Sequence, residues 1–215
     1  MSCRDGRSGH RYVEHSQPDQ YLYAGCDLAG GVGNVASGIG SFAAGSFANA
    51  NVNGCFAFGD NSTINDVSCG FTPNQFVVRA VGGVYFLTAG TNDATYTGAK
   101  LLPGATAWTV YSDSTGKDNI QRIDSVAVLR KVAALPIATW NWKAQDASIR
   151  HMGPMAQDFS AAFGLGEDPL GISTVDADGV ALAAIQGLHQ LMREKDRQIA
   201  QLKRKLQAIE AKLGL

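Results

Sequence analysis

The first third of the chain has almost no positive charge. There is no lysine or arginine between Arg11 and Arg79, and most of the charged residues lie in residues 112–215. The formal net charge is −1 and the sequence pI is near 6.4, so nothing draws the chain in general toward nucleic acid or an anionic membrane surface. No apolar run reaches the roughly 18 residues that indicate a membrane span. We therefore predict neither a nucleic-acid partner nor a membrane span.

Cysteine is scarce and is confined to Cys3, Cys26, Cys55 and Cys69. Their spacing fits no CxxC metal pattern, and four cysteines can pair in three ways. We predict small buried thiols rather than disulfides, and we predict no metal and no cofactor.

The N-terminal segment lacks the apolar core of a secretion signal. His10 and His15 lie there among charged residues, and we interpret residues 1–20 as a polar, disordered arm rather than a metal site. If the protein acts outside a cell, we expect it to leave the producing cell by lysis or within a particle. The alternative is that the sequence is a fragment of a longer chain.

Residues 21–70 contain a 14-residue repeat that we expect to end near Cys69. A fixed short period indicates a stacked architecture in which each turn buries its apolar side against its neighbours. Fourteen residues suit two short strands and two tight turns, for which glycine and asparagine supply positive φ angles. The recurring positions are Leu28, Phe42 and Phe56, then Gly31, Gly45 and Gly59, then Ala36, Ala50 and Ile64.

These repeats resemble the head repeats of trimeric autotransporter adhesins. The resemblance covers about 50 residues and is seen in Ser41-Phe42-Ala43-Ala44-Gly45 and in Cys55-Phe56-Ala57-Phe58-Gly59. It implies a left-handed β-roll in each chain, with three rolls packed side by side.

Residues 71–111 are predicted to form a β stalk. Two β-rich runs between Asn74 and Thr88 flank Gly82-Gly83, a pattern typical of a hairpin with a two-residue turn. A second hairpin-like stretch ends with Ala107 to Tyr111. A stalk of three chains would explain why so few residues carry so much apolar surface.

The second half of the chain has helical patterns and more charge. Asp124 is predicted to cap a helix that ends before Pro136. Residues 137–142 alternate like a strand, residues 155–163 have the pattern of a short amphipathic helix, and Val175 leads into the last helix.

The last helix, residues 185–215, carries a heptad pattern that Lys195 interrupts once. A heptad sustained for four turns favours a coiled coil over a helix docked on its own domain, and isoleucine mixed across the core positions is compatible with a trimer. The predicted trimerisation residues are Ile185, Leu188, Met192, Ile199, Leu202, Leu206, Ile209 and Leu213.

Residues 112–195 resemble the endosialidase-type intramolecular chaperone domain, found at the C-terminus of phage tail spikes and fibres. The motifs keep the family's order and spacing, and they lead into the closing coiled coil. They are Ser112-Asp113 with Lys117, Asn119-Ile120, Trp140 to Lys143, Arg150-His151-Met152-Gly153, Met155-Ala156-Gln157 and Val175-Asp176.

The resemblance implies that this half trimerises, guides the folding of the upstream part and then detaches by autoproteolysis. It implies that Ser112 attacks the carbonyl carbon of Tyr111 while Lys117 acts as the base. Further candidate supporting residues are Asp113, Asn119 and His151, although for His151 a packing or strand-end role is the favoured interpretation. One departure is Ser114-Thr115-Gly116, which stands where the family usually has a basic and an aliphatic residue, and which is good turn chemistry.

The chemistry of a serine and a lysine sets conditions on such a cleavage. A serine hydroxyl is a weak nucleophile until a base takes its proton, and lysine is a base only when burial or a like charge keeps it neutral. Trimer packing would supply that burial. Because nucleophile and target belong to one chain, no substrate pocket is needed and each chain reacts once.

We therefore predict a mixed, modular and fibrous fold: β-roll repeats, a β stalk (71–111), a small α+β chaperone domain (112–184) and a long coiled-coil helix, assembled as a homotrimer. An uncleaved trimeric adhesin or fibre tip is the alternative. A glycan-degrading spike is disfavoured because residues 21–111 show no paired carboxylates. Beyond itself, the expected partner is a host-surface receptor or glycan, and the expected location is a virion, an extracellular fibre or a bacterial surface.

Overall fold

A computed structural model of the chain describes residues 21–22, 28–92 and 95–213. The fold is mixed, with many strands in the first half and a long C-terminal helix, as predicted. The chain divides into two compact units, Met1–Gly116 and Lys117–Leu215. The predicted arm with His10 and His15 lies outside the described residues.

The strands of the first unit are short, and most of them pair in parallel. In chain order they are β1 (Tyr21–Leu22), β2 (Leu28–Val32), β3 (Val35–Ala36), β4 (Phe42–Ser46), β5 (Ala48–Ala50), β6 (Phe56–Gly59), β7 (Val67–Ser68), β8 (Phe76–Arg79), β9 (Val84–Ala89), β10 (Thr97–Leu101) and β11 (Thr109–Val110).

The 14-residue repeat forms a stack of coils. One parallel sheet has the order β2-β4-β6-β8 and the other the order β1-β3-β5-β7, so each coil adds one strand to each sheet. Phe42 is paired with Phe56 and Ala36 with Ala50, as the repeat predicted. The core between the sheets consists of Ala36, Ala43, Ala48, Ala50, Ala57, Cys55 and Cys69. Because its side chains are small, the two sheets approach closely.

A fully buried asparagine ties neighbouring coils together. The side-chain amide of Asn34 donates to the carbonyl oxygens of Gly30 and Gly45, at 2.7 and 2.9 Å, and its oxygen accepts from the Ala48 amide at 2.9 Å. All of these partners are backbone groups, so a polar residue occupies the interior without an unsatisfied group.

The end of the repeat differs from the sequence prediction at two points. Ile64 is not in the ladder, because β5 pairs with β7 through Ala48–Val67 and Asn49–Ser68, and Ile64 lies exposed in the preceding loop. The repeat also does not stop near Cys69, since β8 continues the sheet with Phe76 opposite Phe56. Extra residues in the turns lengthen this coil and hide it from a fixed 14-residue period.

The predicted hairpin around Gly82-Gly83 is wrong. The strand before it, β8, pairs in parallel with β6, whereas the strand after it, β9, pairs with β10 in a different sheet. The apolar run of β8 is used by the roll, where Val77 packs against the alanine core. The two glycines therefore connect two sheets rather than two strands of one hairpin.

Cys55 and Cys69 form a disulfide, with their Cα atoms 6.3 Å apart. Both are buried, as predicted, but the prediction of thiols is wrong for this pair. They are not equivalent positions of the repeat, because Cys55 directly precedes β6 whereas Cys69 directly follows β7. The bridge therefore links the start of a strand in one sheet to the end of a strand in the other. Cys3 and Cys26 lie outside the described residues.

The first unit continues as a three-stranded antiparallel sheet in the order β11-β10-β9. The predicted hairpin-like stretch in residues 89–111 is confirmed, because β10 pairs with β11 through Ala99–Val110 and Lys100–Thr109. This sheet keeps large apolar side chains exposed, among them Phe86, Leu87 and Trp108. Within the described chain it has no buried residue of its own.

The second unit contains α1 (Ser125–Ala134), β12 (Ala138–Trp140), β13 (His151–Gly153), α2 (Ala156–Phe163) and α3 (Thr174–Leu213). The predicted cap is confirmed, since the Asp124 carboxylate accepts from the Val126 and Ala127 amides. The two strands form an antiparallel pair with Trp140 opposite His151.

Helix α3 packs against α1 at a glycine. The face of α3 that is buried consists of Val180, Ala183, Ala184 and Gly187. A Cβ atom added at Gly187 would lie 2.2 Å from the Ser125 carbonyl oxygen, whereas one added at Gly179 would have no atom within 4 Å. The close approach of the two helices therefore requires glycine at position 187.

Arg79 closes the last coil of the roll. Its guanidinium donates to Oδ1 of Asp60 at 3.2 Å and to the carbonyl oxygens of Ser46 and Asp60 at 3.1 and 2.8 Å. Hydrogen bonds from Ser62, from the Val81 amide and from Arg79 lower the pKa of Asp60 from 3.8 to about 2. The Asp60 carboxylate and Arg79 thus cap the carboxyl ends of β4 and β6.

We expect Asp60→Asn to lower the melting temperature at pH 7 and to lower it much less at pH 2. A carboxyl group whose pKa is lowered by folding stabilises the fold above its ordinary pKa, and that stabilisation is lost as the pH falls toward the folded value. The difference between variant and wild type should therefore shrink between about pH 4 and pH 2. Asp66→Asn, an exposed carboxylate in the same loop, is the control. Equal deficits for Asp60→Asn at pH 7 and pH 2 would contradict the prediction.

We expect Gly187→Ala to destabilise the second unit by about 1–3 kcal/mol, because the added methyl group pushes α1 away from α3. The matched substitution Gly179→Ala lies in the same helix in open space, and it should stabilise by up to about 1 kcal/mol through helix propensity. Urea unfolding of both variants measures the difference. A Gly187→Ala variant as stable as Gly179→Ala would show that the helices do not approach as described.

Candidate functional site

Tyr111 follows the last strand of the first unit directly. The pairing of β11 with β10 fixes the backbone as far as Val110. The half-buried Tyr111 ring has its edge toward the Tyr96 ring, with centroids 6.0 Å apart, and the Lys100 ammonium lies 4.3 Å from the Tyr111 ring centroid. Tyr111 is therefore held through both its backbone neighbour and its side chain.

Ser112 lies exposed in a shallow groove next to Tyr111. Lys100, Thr109 and Asp113 contribute to the walls of this groove. The predicted nucleophile and the carbonyl group that it would attack thus adjoin a surface depression of the first unit rather than its interior.

The residues after Ser112 form a compact turn. Oδ1 of Asp113 accepts from the Thr115 amide at 2.8 Å and from the Thr115 hydroxyl at 2.7 Å, and the Gly116 amide donates to the Asp113 carbonyl at 3.3 Å. A single 3₁₀ turn, Ser114–Gly116, results. The residues that depart from the family pattern therefore have a defined backbone conformation, and the role of Asp113 that the structure shows is to cap it.

Lys117 and Asn119 belong to the second unit and are exposed in the single chain. Asn119 has a positive φ of 55°, a conformation that asparagine adopts more readily than most residues. The structure therefore groups Tyr111, Ser112 and Asp113 in one groove and gives Asn119 a turn role.

His151 lies in β13 and packs in an aromatic cluster. Its ring stacks on Trp140 with centroids 4.8 Å apart, and its Nε2 is 2.8 Å from Oε1 of Gln145. Trp142 adds an edge contact to Trp140 at 5.0 Å. These contacts match the packing and strand role favoured for His151 from the sequence. A supporting role for His151 in cleavage stays a prediction.

The predicted trimerisation residues form one apolar stripe on α3 that is not covered by the chain. Their exposed fractions run from 49% at Ile199 to 68% at Leu213. The buried residues of α3 face α1 instead, and they lie N-terminal to most of the stripe. All described residues of α3 after Gly187 are exposed, and most of the apolar ones among them lie at the heptad positions that a coiled coil would bury.

Two residues that hold Tyr111 were missed in the sequence, Tyr96 and Lys100. The period-2 alternation of a strand could have placed them on one face of a hairpin only if the β10–β11 register had been known. Among the described residues, no His, Cys, Asp and Glu side chains come together in a group that could hold a metal ion. None of the described helices is long and apolar enough to cross a membrane.

The family model described as chaperone of endosialidase matches residues 112–164. This part of the chain is an endosialidase-type chaperone domain, so the resemblance drawn from its motifs is confirmed for that range. The match begins at Ser112, the residue after the half-buried tyrosine. Neither the curated proteins nor the solved structures contain a significant match to the chain.

Proposed function

We propose that residues 112–215 act as an intramolecular chaperone that trimerises, templates the folding of the upstream β part and then releases itself by cutting the bond between Tyr111 and Ser112. The observation that carries this proposal is that the chaperone family match starts at Ser112. The fold changes character at the same place, since the last strand of the first unit ends at Val110 and the compact units divide after Gly116.

Trimer formation is supported by the uncovered stripe on α3. Burying an isoleucine or leucine side chain contributes roughly 1.5–3 kcal/mol, and the eight residues of the stripe are between 49% and 68% exposed in the single chain. A 40-residue helix that contacts its own domain only near its start needs another partner for the rest of its length. Copies of the same helix are the simplest partner for a heptad repeat.

The upstream half has a small core and exposed aromatic residues, and both features would benefit from a template for folding. Its roll has a core of alanine and cysteine, and the sheet β9–β11 exposes Tyr85, Phe86 and Trp108. Small cores of this kind supply little stabilisation per residue. Three chains held together at their C-terminal helices would cover such surfaces against each other and reduce the entropy cost of bringing their strands into register.

The proposed reaction needs only one water molecule besides the chain. The Ser112 hydroxyl gives its proton to the neutral Lys117 amine as Oγ bonds to the Tyr111 carbonyl carbon. The C–N bond then breaks and the proton passes from Lys117 to the released Ser112 amine. Water hydrolyses the ester that links Tyr111 to the Ser112 oxygen, which leaves a carboxylate on Tyr111 and restores the Ser112 hydroxyl.

Assembly would set the time of this reaction. Lys117 is exposed in the single chain, and a lysine can take the proton of a serine only as a neutral amine. Burial among three chains would favour the neutral amine. Cleavage would thus follow trimerisation, and each chain would act once as a serine peptidase with a Ser112–Lys117 dyad.

Cleavage would also fix the folded product. Once residues 112–215 have left, the β part has no template for refolding. The lifetime of its folded state then depends on its unfolding barrier. We place such a product in a virion-associated or other extracellular fibre, where the roll would meet a host-surface receptor or glycan.

The second candidate is an uncleaved trimeric adhesin or fibre tip, with the C-terminal half as an anchor. The observation that favours it is the 3₁₀ turn at Ser114–Gly116, where the family pattern has other residue types. Both candidates require the trimer, and they differ only in whether the bond after Tyr111 is cut.

We expect expressed wild type to yield two pieces, residues 1–111 and 112–215, in denaturing electrophoresis with mass measurement. Ser112→Ala and Lys117→Ala should stay intact. Lys117→Arg should stay intact too, because arginine does not give up its proton in proteins. The matched control Ser114→Ala, which changes the serine two positions further on, should be cut. A fully assembled wild type that remains intact would reject the cleavage and favour the anchor.

We expect Ile199→Asp to weaken trimer association by on the order of 10³-fold, since three apolar side chains at one level of the core are replaced by carboxylates. Gln201→Asp introduces the same charge two residues away, outside the stripe, and should leave association unchanged. Light scattering and sedimentation of the full chain, both in the Ser112→Ala background, measure the effect. Monomeric wild type would remove the templating proposal.

A further inference from the structure

We propose that Lys100 and Tyr96 are positioning residues for the cleavage. They would hold the Tyr111 side chain so that the Tyr111 carbonyl carbon stays oriented for attack by the Ser112 hydroxyl oxygen. This inference rests on the proposed function, because it concerns the bond that the chaperone would cut. It gives the upstream β part a role in the cleavage, because contacts within this part would hold the bond at its C-terminal end in position.

The charge distribution singles out Lys100. It is the only lysine or arginine between Arg79 and Lys117, and its ammonium lies 4.3 Å from the centroid of the Tyr111 ring. A cation over the face of an aromatic ring is attracted by the ring's negative π face. The one positive charge of this segment is therefore placed on the residue that precedes the predicted cleavage point.

The strand register explains how Lys100 and Tyr96 reach Tyr111. Lys100 of β10 pairs with Thr109 of β11, so Lys100 lies two residues from Tyr111 across the ladder. Tyr96 immediately precedes β10 and offers its ring to the Tyr111 ring at 6.0 Å in an edge-on arrangement. Aromatic pairs favour such edge contacts. Both contacts lie within the first unit.

The bond after Tyr111 is thereby restrained on both sides. On its N-terminal side the β10–β11 pairing holds Val110 opposite Ala99, and the side-chain contacts hold Tyr111. On its C-terminal side the Asp113–Thr115 hydrogen bonds fix the turn. A nucleophile adjacent to its target in sequence still needs the correct approach to the carbonyl carbon, and a displacement of about 1 Å can cost about 10²-fold in rate.

This arrangement predicts which side chains the cleavage tolerates at positions 100 and 111. Lys100→Met keeps a chain of similar length without the charge, and Lys100→Arg keeps the charge. Tyr111→Phe keeps the ring, whereas Tyr111→Leu removes it. If the ring and the cation position the carbonyl group, the rate should follow the presence of both and not the presence of the tyrosine hydroxyl.

The test is a pulse-labelled expression time course of the full chain, in which the intact form is converted to residues 1–111 and 112–215. We expect Lys100→Met, Tyr96→Leu and Tyr111→Leu to be cut about 5- to 100-fold more slowly than wild type. Lys100→Arg and Tyr111→Phe should be cut within about 3-fold of the wild-type rate. Arg204→Met, which removes one exposed positive charge of α3 outside the apolar stripe, is the control and should be cut at the wild-type rate.

A structural effect is separated from positioning by repeating the substitutions in the uncleavable Ser112→Ala background. There, light scattering should show the same trimer, and the melting temperature should change little between Lys100→Met and Lys100→Arg. A loss of trimer that parallels the slower cutting would overturn the positioning role.

The outcomes also separate this inference from the proposed function. If wild type is cut and Lys100→Met, Tyr96→Leu and Tyr111→Leu are cut at the same rate, the positioning role is wrong and the cleavage stands. If wild type is not cut under conditions where it assembles, the cleavage is wrong and the positioning role falls with it.

Discussion

The two sheets of the roll pack on a core of small side chains, and this constraint shapes the rest of the first half. The fully buried interior is made of alanine, cysteine, Ser41 and the fully bonded Asn34. Larger side chains such as Phe42 and Phe56 stack along the outside instead, with ring centroids 4.7 Å apart. The apolar surface is therefore mostly external, and a single chain has little means of covering it.

The other parts of the chain also expose large apolar surfaces. The antiparallel sheet β9–β11 exposes its aromatic residues, and α3 exposes a stripe that extends well beyond the domain it packs on. A monomer with these surfaces would be prone to association. The chaperone domain at residues 112–164 directly precedes the helix that carries the longest of these surfaces.

The repeat, the capped helix α1 and the last helix could be predicted from the sequence because each depends on a local period or on neighbouring residues. Asp124 caps its own helix, and Phe42 and Phe56 show the same spacing in sequence and in structure. The path of β8 could not be predicted, because a strand with turn residues after it is compatible both with a hairpin and with one more coil. The longer last coil removed the fixed period that would have decided between them.

At the candidate site, sequence motifs led to the hypothesis that Ser112 and Lys117 react, and these motifs depend on residues close together in the chain. The contacts of Tyr96 and Lys100 with Tyr111 depend on the register between β10 and β11, and nothing in the local sequence sets that register. The disulfide is an intermediate case. Both cysteines were visible, but their pairing follows only once the position before β6 and the position after β7 are known to point inward.

The Cys55–Cys69 bridge also changes how the roll would respond to mechanical force. If tension were applied to the chain beyond Arg79, β8 would peel away from β6 and the unravelling would proceed toward Cys69. Without the bridge, the residues between the two cysteines would then extend and add about 45 Å of length. With the bridge, tension passes from Cys69 to Cys55 across Cα atoms only 6.3 Å apart. The segment between them bears no load, so an extracellular filament built from this roll would stretch less before its inner coils were disturbed.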